Sequence, residues 1–204
     1  MAGTTVYVVR HGRTPLNAEG RFRGLQDPPL DDVGRAEARA AATWLERVAL
    51  PAVHTSPLRR ARETARPITT DRPFAPATLP LVVDLDHGRW TGMTAEQAAA
   101  FDPGEFERFR DDPRSCVPPA GERVLDLERR MSEALRWLAD RFPGSAVAVV
   151  THEIPIRILL ASVTALTGSQ MWELEVPTGS ILELRVDADG ASVVTMPFAP
   201  DGEP

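Results

Sequence analysis

Two histidines and two arginines stand where predicted buried strands end. The stretch VYVVRHGRTPLN, residues 6–17, places Arg10 and His11 directly after a nearly continuous run of β-branched and aromatic residues. Such a run is typical of a strand that is buried on both faces of a parallel sheet. His152 follows a similar run in AVAVVTHE, and Arg60 follows a shorter one in AVHTSPLRR. Ligands of open α/β sheets bind at the carboxyl ends of the strands, so we expect these four side chains to meet at one sheet edge.

These side-chain types suit an anionic ligand, and a phosphomonoester is one such ligand. It carries about two negative charges near neutral pH, and its transfer depends on positioning and on neutralising charge on the phosphoryl oxygens. A guanidinium fork holds two oxygens at once, so Arg10 and Arg60 suit a clamp around the phosphoryl group. A single buried histidine is more often structural, but the joint placement of His11 and His152 with two arginines favours catalysis.

Strands alternate with helical patterns in the first half of the chain. Residues 30–50 predict an amphipathic helix with Asp31 and Asp32 as cap candidates. A short strand in AVHTSPL then leads to a helix in LRRARETARPI, whose pattern stops near Pro67. The apolar run LVVDL, residues 81–85, predicts another short strand. For the first helix the sequence predicts an apolar stripe of Ala36, Ala40, Trp44 and Val48.

The second half continues the alternation after an interruption. Residues 86–121 contain two weak helical segments, at 95–100 and 105–110, which indicates an excursion that covers a site. A longer helix follows from Val124 and ends near Pro143. Residues 145–168 predict a buried strand, a histidine and an apolar helix, and residues 180–198 predict two strands joined by an Asp-Ala-Asp-Gly turn. The alternation predicts an α/β fold, a three-layer α/β/α sandwich with a mostly parallel central sheet.

Composition excludes several functional classes. The 204 residues suit one domain, 1–204, and all 23 basic side chains are arginine, so Schiff-base catalysis and a P-loop lysine are impossible. Arginine-rich composition favours a high-GC bacterial source. The net charge of −6 disfavours nucleic-acid binding, and the single cysteine, Cys116, excludes an intrachain disulfide. No apolar run reaches the length of a membrane span and the first ten residues read as a strand, so we expect a soluble, cytoplasmic protein.

The order of the motifs resembles the histidine phosphatase superfamily, also called the phosphoglycerate mutase-like family, and within it the small phosphatase branch. The resemblance implies a phosphoglycerate mutase-like fold, a phosphohistidine formed on His11, and His152 donating to the phosphoryl oxygens from the opposite side. It implies no metal and no other cofactor. Six segments carry the resemblance: RHGRTPLN (10–17), GLQDPPLDDVG (24–34), SPLRRARETA (56–65), DHGRWTGMT (86–94), PPAGE (118–122) and THEIPIRILL (151–160).

The general acid is where this sequence departs from the family. Members usually place a glutamate four residues before the first glycine of a Gly-x-Trp-x-Gly segment, and this chain places Asp84 there. Aspartate can serve as general acid, but its side chain is shorter by one methylene. Either the substrate sits deeper, or Asp84 works through a water molecule, or Asp86 or His87 takes over. Arg23 replaces a frequent glutamine, which suggests a second anionic or strongly hydrogen-bonding group on the substrate.

These observations together predict a metal-independent phosphatase that hydrolyses a small-molecule phosphomonoester. Phosphoglycerate mutase-type phosphoryl transfer and a non-catalytic phosphate-binding relative are the alternatives. The predicted partner is a small phosphorylated substrate, with no nucleic acid and no membrane, and the sequence leaves the oligomeric state open, with a homodimer as one option. The predicted catalytic residues are His11, Arg10, Arg60, Asp84 and His152, and the predicted substrate-binding residues are Gly12, Thr14, Asn17, Arg23, Gly24 and Glu153.

Overall fold

A mixed sheet of six strands forms the centre of the molecule. The computed structural model describes residues 3–166 and 168–200. The strands lie in the order β3-β2-β4-β1-β5-β6; the first four are parallel, and β5 runs antiparallel to both of its neighbours. The strands are β1 (Thr4–Arg10), β2 (Val53–Thr55), β3 (Ala77–Thr78), β4 (Ala146–Thr151), β5 (Ile181–Asp187) and β6 (Gly190–Phe198).

Helices cover both faces of the sheet, which confirms the predicted three-layer sandwich. Alternate residues of β1 point to opposite sides: Val6 and Val8 face the helices at 124–141 and 153–164, whereas Tyr7 and Val9 face those at 32–46 and 59–68. Both faces are therefore apolar, which is why β1 and β4 read as continuous hydrophobic runs. The helices are α1 (Pro15–Ala18), α2 (Asp32–Glu46), α3 (Arg59–Ile68), α4 (Ala95–Phe101), α5 (Pro103–Asp111), α6 (Val124–Arg141), α7 (Glu153–Thr164) and α8 (Gln170–Glu173).

The register of the parallel strands aligns the segments that carry the predicted chemistry. Arg10 pairs with Thr151 at the last position of β1 and β4, so the next residues of both strands emerge together. The His11 amide donates to the Thr151 carbonyl at 2.9 Å, and the Ser56 amide donates to the Val150 carbonyl at 2.9 Å. The carboxyl ends of β1, β2 and β4 thus meet at one sheet edge, as predicted.

Two local predictions were wrong. Residues 81–85 do not form a strand: Pro80 begins a single 3₁₀ turn, Pro80–Val82, and the edge strand β3 lies earlier in the chain. The stripe predicted on α2 is wrong as a whole: Trp44 and Val48 pack against the core, but Ala36 is exposed, because a step of four residues drifts around a helix of 3.6 residues per turn. The buried face follows steps of three and four and consists of Gly34, Ala38, Ala41, Ala42 and Leu45.

Several other predicted elements are confirmed. Asp31 caps α2 by accepting from the Gly34 amide at 2.8 Å. Segments 95–100 and 105–110 form α4 and α5, and the last two strands form the predicted hairpin. Among the helices of residues 3–166 and 168–200, none is both long and apolar enough to cross a bilayer.

Candidate active site

Four predicted side chains form one buried cluster at the carboxyl edge of the sheet. The Arg60 Nε lies 3.3 Å from His11 Nε2 and 3.2 Å from His152 Nδ1, and the imidazole centroids are 5.1 Å apart. Asp84 completes the cluster, with its Oδ2 2.9 Å from Arg60 Nη2. His11, Arg60 and His152 have no exposed surface, and Asp84 is 2% exposed. His11, Arg60 and His152 therefore come together as predicted, whereas the Arg10 guanidinium pairs with Glu153 and is not part of this cluster.

Both imidazoles are neutral near pH 7. Burial lowers the pKa of His11 and of His152 well below the usual value, and the nearby positive charge of Arg60 lowers both further. His11 Nδ1 lies 2.7 Å from the Gly12 carbonyl, which can only accept, so Nδ1 carries the hydrogen and Nε2 keeps its lone pair. His152 Nδ1 accepts from Arg60 and its Nε2 donates to Ser56 Oγ at 2.7 Å. The Nε2 lone pair of His11 thus faces the centre of the cluster, where it accepts from the Arg60 Nε–H.

Arg60 is fixed in place by the first turn of α3 and by the loop that precedes α2. Its Nη1 donates to the Gln26 carbonyl at 2.6 Å, and its Nη2 donates to the Gly24 carbonyl at 3.0 Å as well as to Asp84. Burial lowers the pKa of Arg60, and Asp84 opposes that shift. A lysine could not reproduce these contacts, because they use three nitrogens of one planar fork.

Asp84 is held from behind by a residue that the sequence did not single out. Arg130, on α6, donates to the main-chain carbonyl of Asp84 at 3.0 Å and is itself paired with Glu122 at 2.7 Å. Ser56, the partner of His152, was also missed, although it follows β2 and could have been found by the same strand-end criterion. No sequence signal marks Arg130, because it lies in the middle of an ordinary amphipathic helix.

A second charged cluster surrounds Glu153, the first residue of α7. Its Oε2 lies 2.6 Å from Arg10 Nη2 and 3.5 Å from Arg23 Nη2, and its Oε1 lies 3.1 Å from Arg157 Nε. Burial alone would raise the pKa of Glu153, but the three arginines outweigh it and lower the pKa. Burial lowers the pKa of Arg10 to about 10 against the opposing effect of Glu153. Arg10 also donates to the Val176 carbonyl.

The predicted loop residues mostly shape the site. A Cβ on Gly12 would lie 2.3 Å from the Gly34 carbonyl, and the Gly12 amide already donates to Thr64 at 2.9 Å. Thr14 is fully buried, and its hydroxyl donates to Asn17 Oδ1 at 2.8 Å, so it caps the start of α1. Direct substrate contact is therefore unsupported for Gly12 and Thr14, whereas Asn17 lines the cavity described below. Gly24 adopts a left-handed conformation, φ +49°, and presents its carbonyl to Arg60.

Neither alternative to Asp84 has the properties of a general acid near pH 7. Asp86 turns away, with its Oδ1 accepting from the Gly88 amide at 2.9 Å. His87 is buried, and burial lowers its pKa to about 4, so its ring is neutral. Asp84 is the carboxyl group that reaches the two-histidine cluster.

A cavity of about 460 Å³ adjoins the charged cluster around Glu153. It is lined by Arg10 and Glu153 on the inner side, by the loop after α1, and by residues of α4, α5 and α8. The predicted excursion thus supplies much of the wall. In residues 3–166 and 168–200, no group of three or more histidine, cysteine, aspartate or glutamate side chains is arranged to hold a metal ion.

Known proteins share both the sequence pattern and the fold. The chain is 35% identical over 199 residues to a bifunctional protein of Mycobacterium tuberculosis, covering 95% of this chain but 53% of that protein, so it spans about half the length of that relative. Phosphoserine phosphatase 1 of Hydrogenobacter thermophilus is 29% identical over 165 residues, which is 81% of this chain and 78% of that protein.

A solved structure gives the same picture. YhfR of Bacillus stearothermophilus superimposes with a TM-score of 0.87 at 32% identity, covering 94% of this chain and 96% of that one. The family model described as histidine phosphatase superfamily, branch 1, matches residues 6–198. The chain therefore belongs to the histidine phosphatase superfamily.

Proposed function

We propose that this protein is a phosphatase that hydrolyses a small phosphomonoester through a phosphohistidine on His11. The observation that carries the proposal is the neutral His11 ring, whose Nε2 lone pair faces the Arg60 N–H at 3.3 Å. A neutral imidazole nitrogen beside fixed positive charge is suited to attack an anionic phosphoryl group, because the arginine offsets the charge repulsion. The relatives named as phosphatases support the same reaction class.

In the first step, His11 Nε2 forms a bond to phosphorus while the bond from phosphorus to the substrate oxygen breaks. Asp84, a carboxylate paired with Arg60 in the free protein, takes up a proton from solvent as the substrate binds, and the departing alkoxide takes that proton from Asp84. Arg10, Arg60 and His152 Nδ1 face the phosphoryl oxygens, with the hydrogen positions of His152 rearranging so that it donates. Since His11 has no exposed surface, neighbouring side chains move when a phosphoryl group enters.

In the second step, water attacks the phosphorus atom and the nitrogen–phosphorus bond of His11 breaks. Asp84, again a carboxylate, accepts a proton from that water and returns it to solvent as inorganic phosphate leaves, which restores the starting state. Dividing one displacement into two lowers the barrier of each. Arginines supply the positive charge that other phosphatases take from metal ions, so we infer that catalysis needs no metal.

Phosphate release from a substrate panel tests the proposal. The panel contains sugar phosphates, nucleotides, phosphoglycerates and an aryl phosphate, each assayed with the wild type and with His11→Ala. His54→Phe is the matched control, because His54 is a buried histidine outside the site that contacts Trp137 and Phe142. We expect release that His11→Ala abolishes and His54→Phe retains.

Two other results would contradict the proposal. Conversion of one phosphoglycerate isomer into the other, without net phosphate release, would establish the mutase alternative. Saturable phosphate-ester binding without any turnover would establish the non-catalytic alternative.

A further inference from the structure

The residues that line the cavity beside Arg10 indicate which kind of alcohol the substrate contains. We propose that the substrate is a phosphomonoester of an uncharged alcohol bearing a planar apolar ring, and that Glu153 selects against negative charge on that alcohol. This inference rests on the proposed phosphatase function and adds the substrate class. Two independent features of the cavity support it: the balance of charge at its inner end and the aromatic surface of its outer wall.

In the free protein, the charges around Glu153 and Asp84 balance with a single phosphoryl group. Arg10, Arg23 and Arg157 surround the Glu153 carboxylate, and Arg60 pairs with Asp84, so four guanidinium groups face two carboxylates. A phosphomonoester brings about two further negative charges, which neutralises the remainder. A carboxylate or second phosphate on the alcohol would add negative charge beside the Glu153 carboxylate, at a wall where the arginines already have carboxylate partners.

The arginines at the rim are also paired. Arg21 lies 2.8 Å from Glu19, and Arg110 lies 2.7 Å from Asp111. All four arginines that line the cavity, these two with Arg10 and Arg23, therefore have a carboxylate within 4 Å. The sequence predicted a second anionic group on the substrate as the partner of Arg23. In the structure Arg23 is paired with Glu153, a residue of the protein itself.

The outer wall is aromatic and fixed. The Trp172 ring packs against Phe109 with centroids 4.5 Å apart, and its Nε1 donates to the Phe109 and Arg110 carbonyls at 3.1 and 3.0 Å. Phe22 lies 5.8 Å from Phe109 and 4.7 Å from the buried ring of His87. Rigid ring faces of this kind bind planar apolar groups by stacking and by excluding water.

A matched pair of substrates tests the charge selection. Glycerol 3-phosphate and 3-phosphoglycerate are both small phosphate esters, and they differ in having a hydroxymethyl group or a carboxylate at the far end. We expect the wild type to favour glycerol 3-phosphate in kcat/KM by about tenfold, because like charges at short range oppose binding. Glu153→Gln should reduce that ratio at least to about threefold on the same grounds. Glu133→Gln, which removes the same charge from an exposed position on α6, should leave the ratio unchanged.

A second pair tests the aromatic wall. Ethyl phosphate and 2-naphthylmethyl phosphate are both esters of primary alcohols, so the ring does not act through the leaving-group pKa. We expect about a tenfold higher kcat/KM for the naphthylmethyl ester, as is typical when a substrate group fills an apolar pocket. Ala95→Trp, at the exposed rim, should fill the cavity and abolish that preference. Ala100→Trp, on the same helix and outside the cavity lining, should preserve it.

The outcomes separate this inference from the function on which it rests. Hydrolysis that depends on His11 but prefers 3-phosphoglycerate, or a charge preference that Glu153→Gln leaves intact, would overturn the charge selection. Equal kcat/KM for the ethyl and naphthylmethyl esters would overturn the ring preference. In each of these cases the phosphatase function would stand. Release of phosphate from none of these four esters would overturn the substrate class, and the phosphatase function would fall with it only if the wider panel described above also gave no release.

Discussion

Asp84→Asn tests two roles of the Asp84 carboxyl group: proton donor to the leaving group, and partner of Arg60 in a buried ion pair. Its Oδ2 lies 2.9 Å from Arg60 Nη2 and 3.7 Å from His152 Nδ1, and the side chains of Arg60 and Asp84 are 0% and 3% exposed. Asparagine keeps the shape of the side chain, but it has no negative charge in the free protein and cannot take up and transfer a proton. We therefore expect a loss of turnover that depends on the leaving group and a loss of stability that does not depend on substrate.

The two losses differ in size and can be measured separately. Without the acid, turnover of ethyl phosphate should fall about 10²- to 10⁴-fold, whereas p-nitrophenyl phosphate, whose phenolate leaves unprotonated, should lose less than about tenfold. Removing one member of a buried ion pair lowers the free energy of unfolding by about 3 kcal/mol at the lower end of the usual range. We expect the lower end here, because the asparagine amide oxygen can still accept from Arg60. For a chain of this length that corresponds to a Tm lower by about 6–12 °C.

Steady-state kinetics on both esters and thermal unfolding of the free protein provide the assay. Asp86→Asn is the matched control, because the Asp86 carboxylate binds the Gly88 amide outside the cluster. It should retain activity on both esters to within a few-fold. Equal losses on ethyl and p-nitrophenyl phosphate in Asp84→Asn would remove Asp84 from the acid role. An unchanged Tm would refute the importance of the buried ion pair.

Three further predictions concern charge and protonation. Arg60→Lys should lower kcat/KM by about 10²-fold or more, because lysine cannot replace a guanidinium that donates in several directions. Arg62→Lys, at an exposed position on the same helix, should leave kcat/KM unchanged. Comparable values for the two variants would contradict the role of Arg60 in holding the phosphoryl group. The pKa of His87 is lowered to about 4 in the folded protein, whereas its ordinary value is about 6.5. As the pH falls below about 6.5, the His87 ring is therefore protonated in the unfolded chain before it is protonated in the folded one, so the free energy of unfolding decreases. In urea unfolding, His87→Phe should reduce the stability lost between pH 7 and pH 5 by about 2 kcal/mol, and an unchanged loss would contradict a neutral buried ring. EDTA should leave phosphate release intact, and a loss that a divalent cation restores would contradict metal-independent catalysis.

The sequence predicted the part of the site that depends on strand ends. Arg10, His11 and His152 follow continuous apolar runs, and in a parallel sheet such runs end at one edge, so their convergence follows from local pattern and topology. The α/β class and most helices could be predicted for the same reason, because hydrophobic periodicity reflects burial directly.

Contacts between distant side chains could not be predicted in this way. The pairing of Glu153 with Arg10 and Arg23 depends on rotamers at the start of α7, and the support of Asp84 by Arg130 joins a loop to the middle of a helix. The strand predicted at 81–85 does not form, because tertiary contacts can override the preference of a short apolar run. Here Thr151 Oγ1 donates to the Val82 carbonyl at 2.7 Å, and the turn packs under α6.

Trapping of the phosphorylated enzyme tests the central claim most directly. The wild type is mixed with a ³²P-labelled aryl phosphate, quenched in alkali within one turnover, digested, and analysed for the labelled peptide. We predict label on the peptide that contains His11, stable in alkali and lost in acid, and no label in His11→Ala. Turnover without a labelled intermediate, or label on another residue, would contradict nucleophilic catalysis by His11.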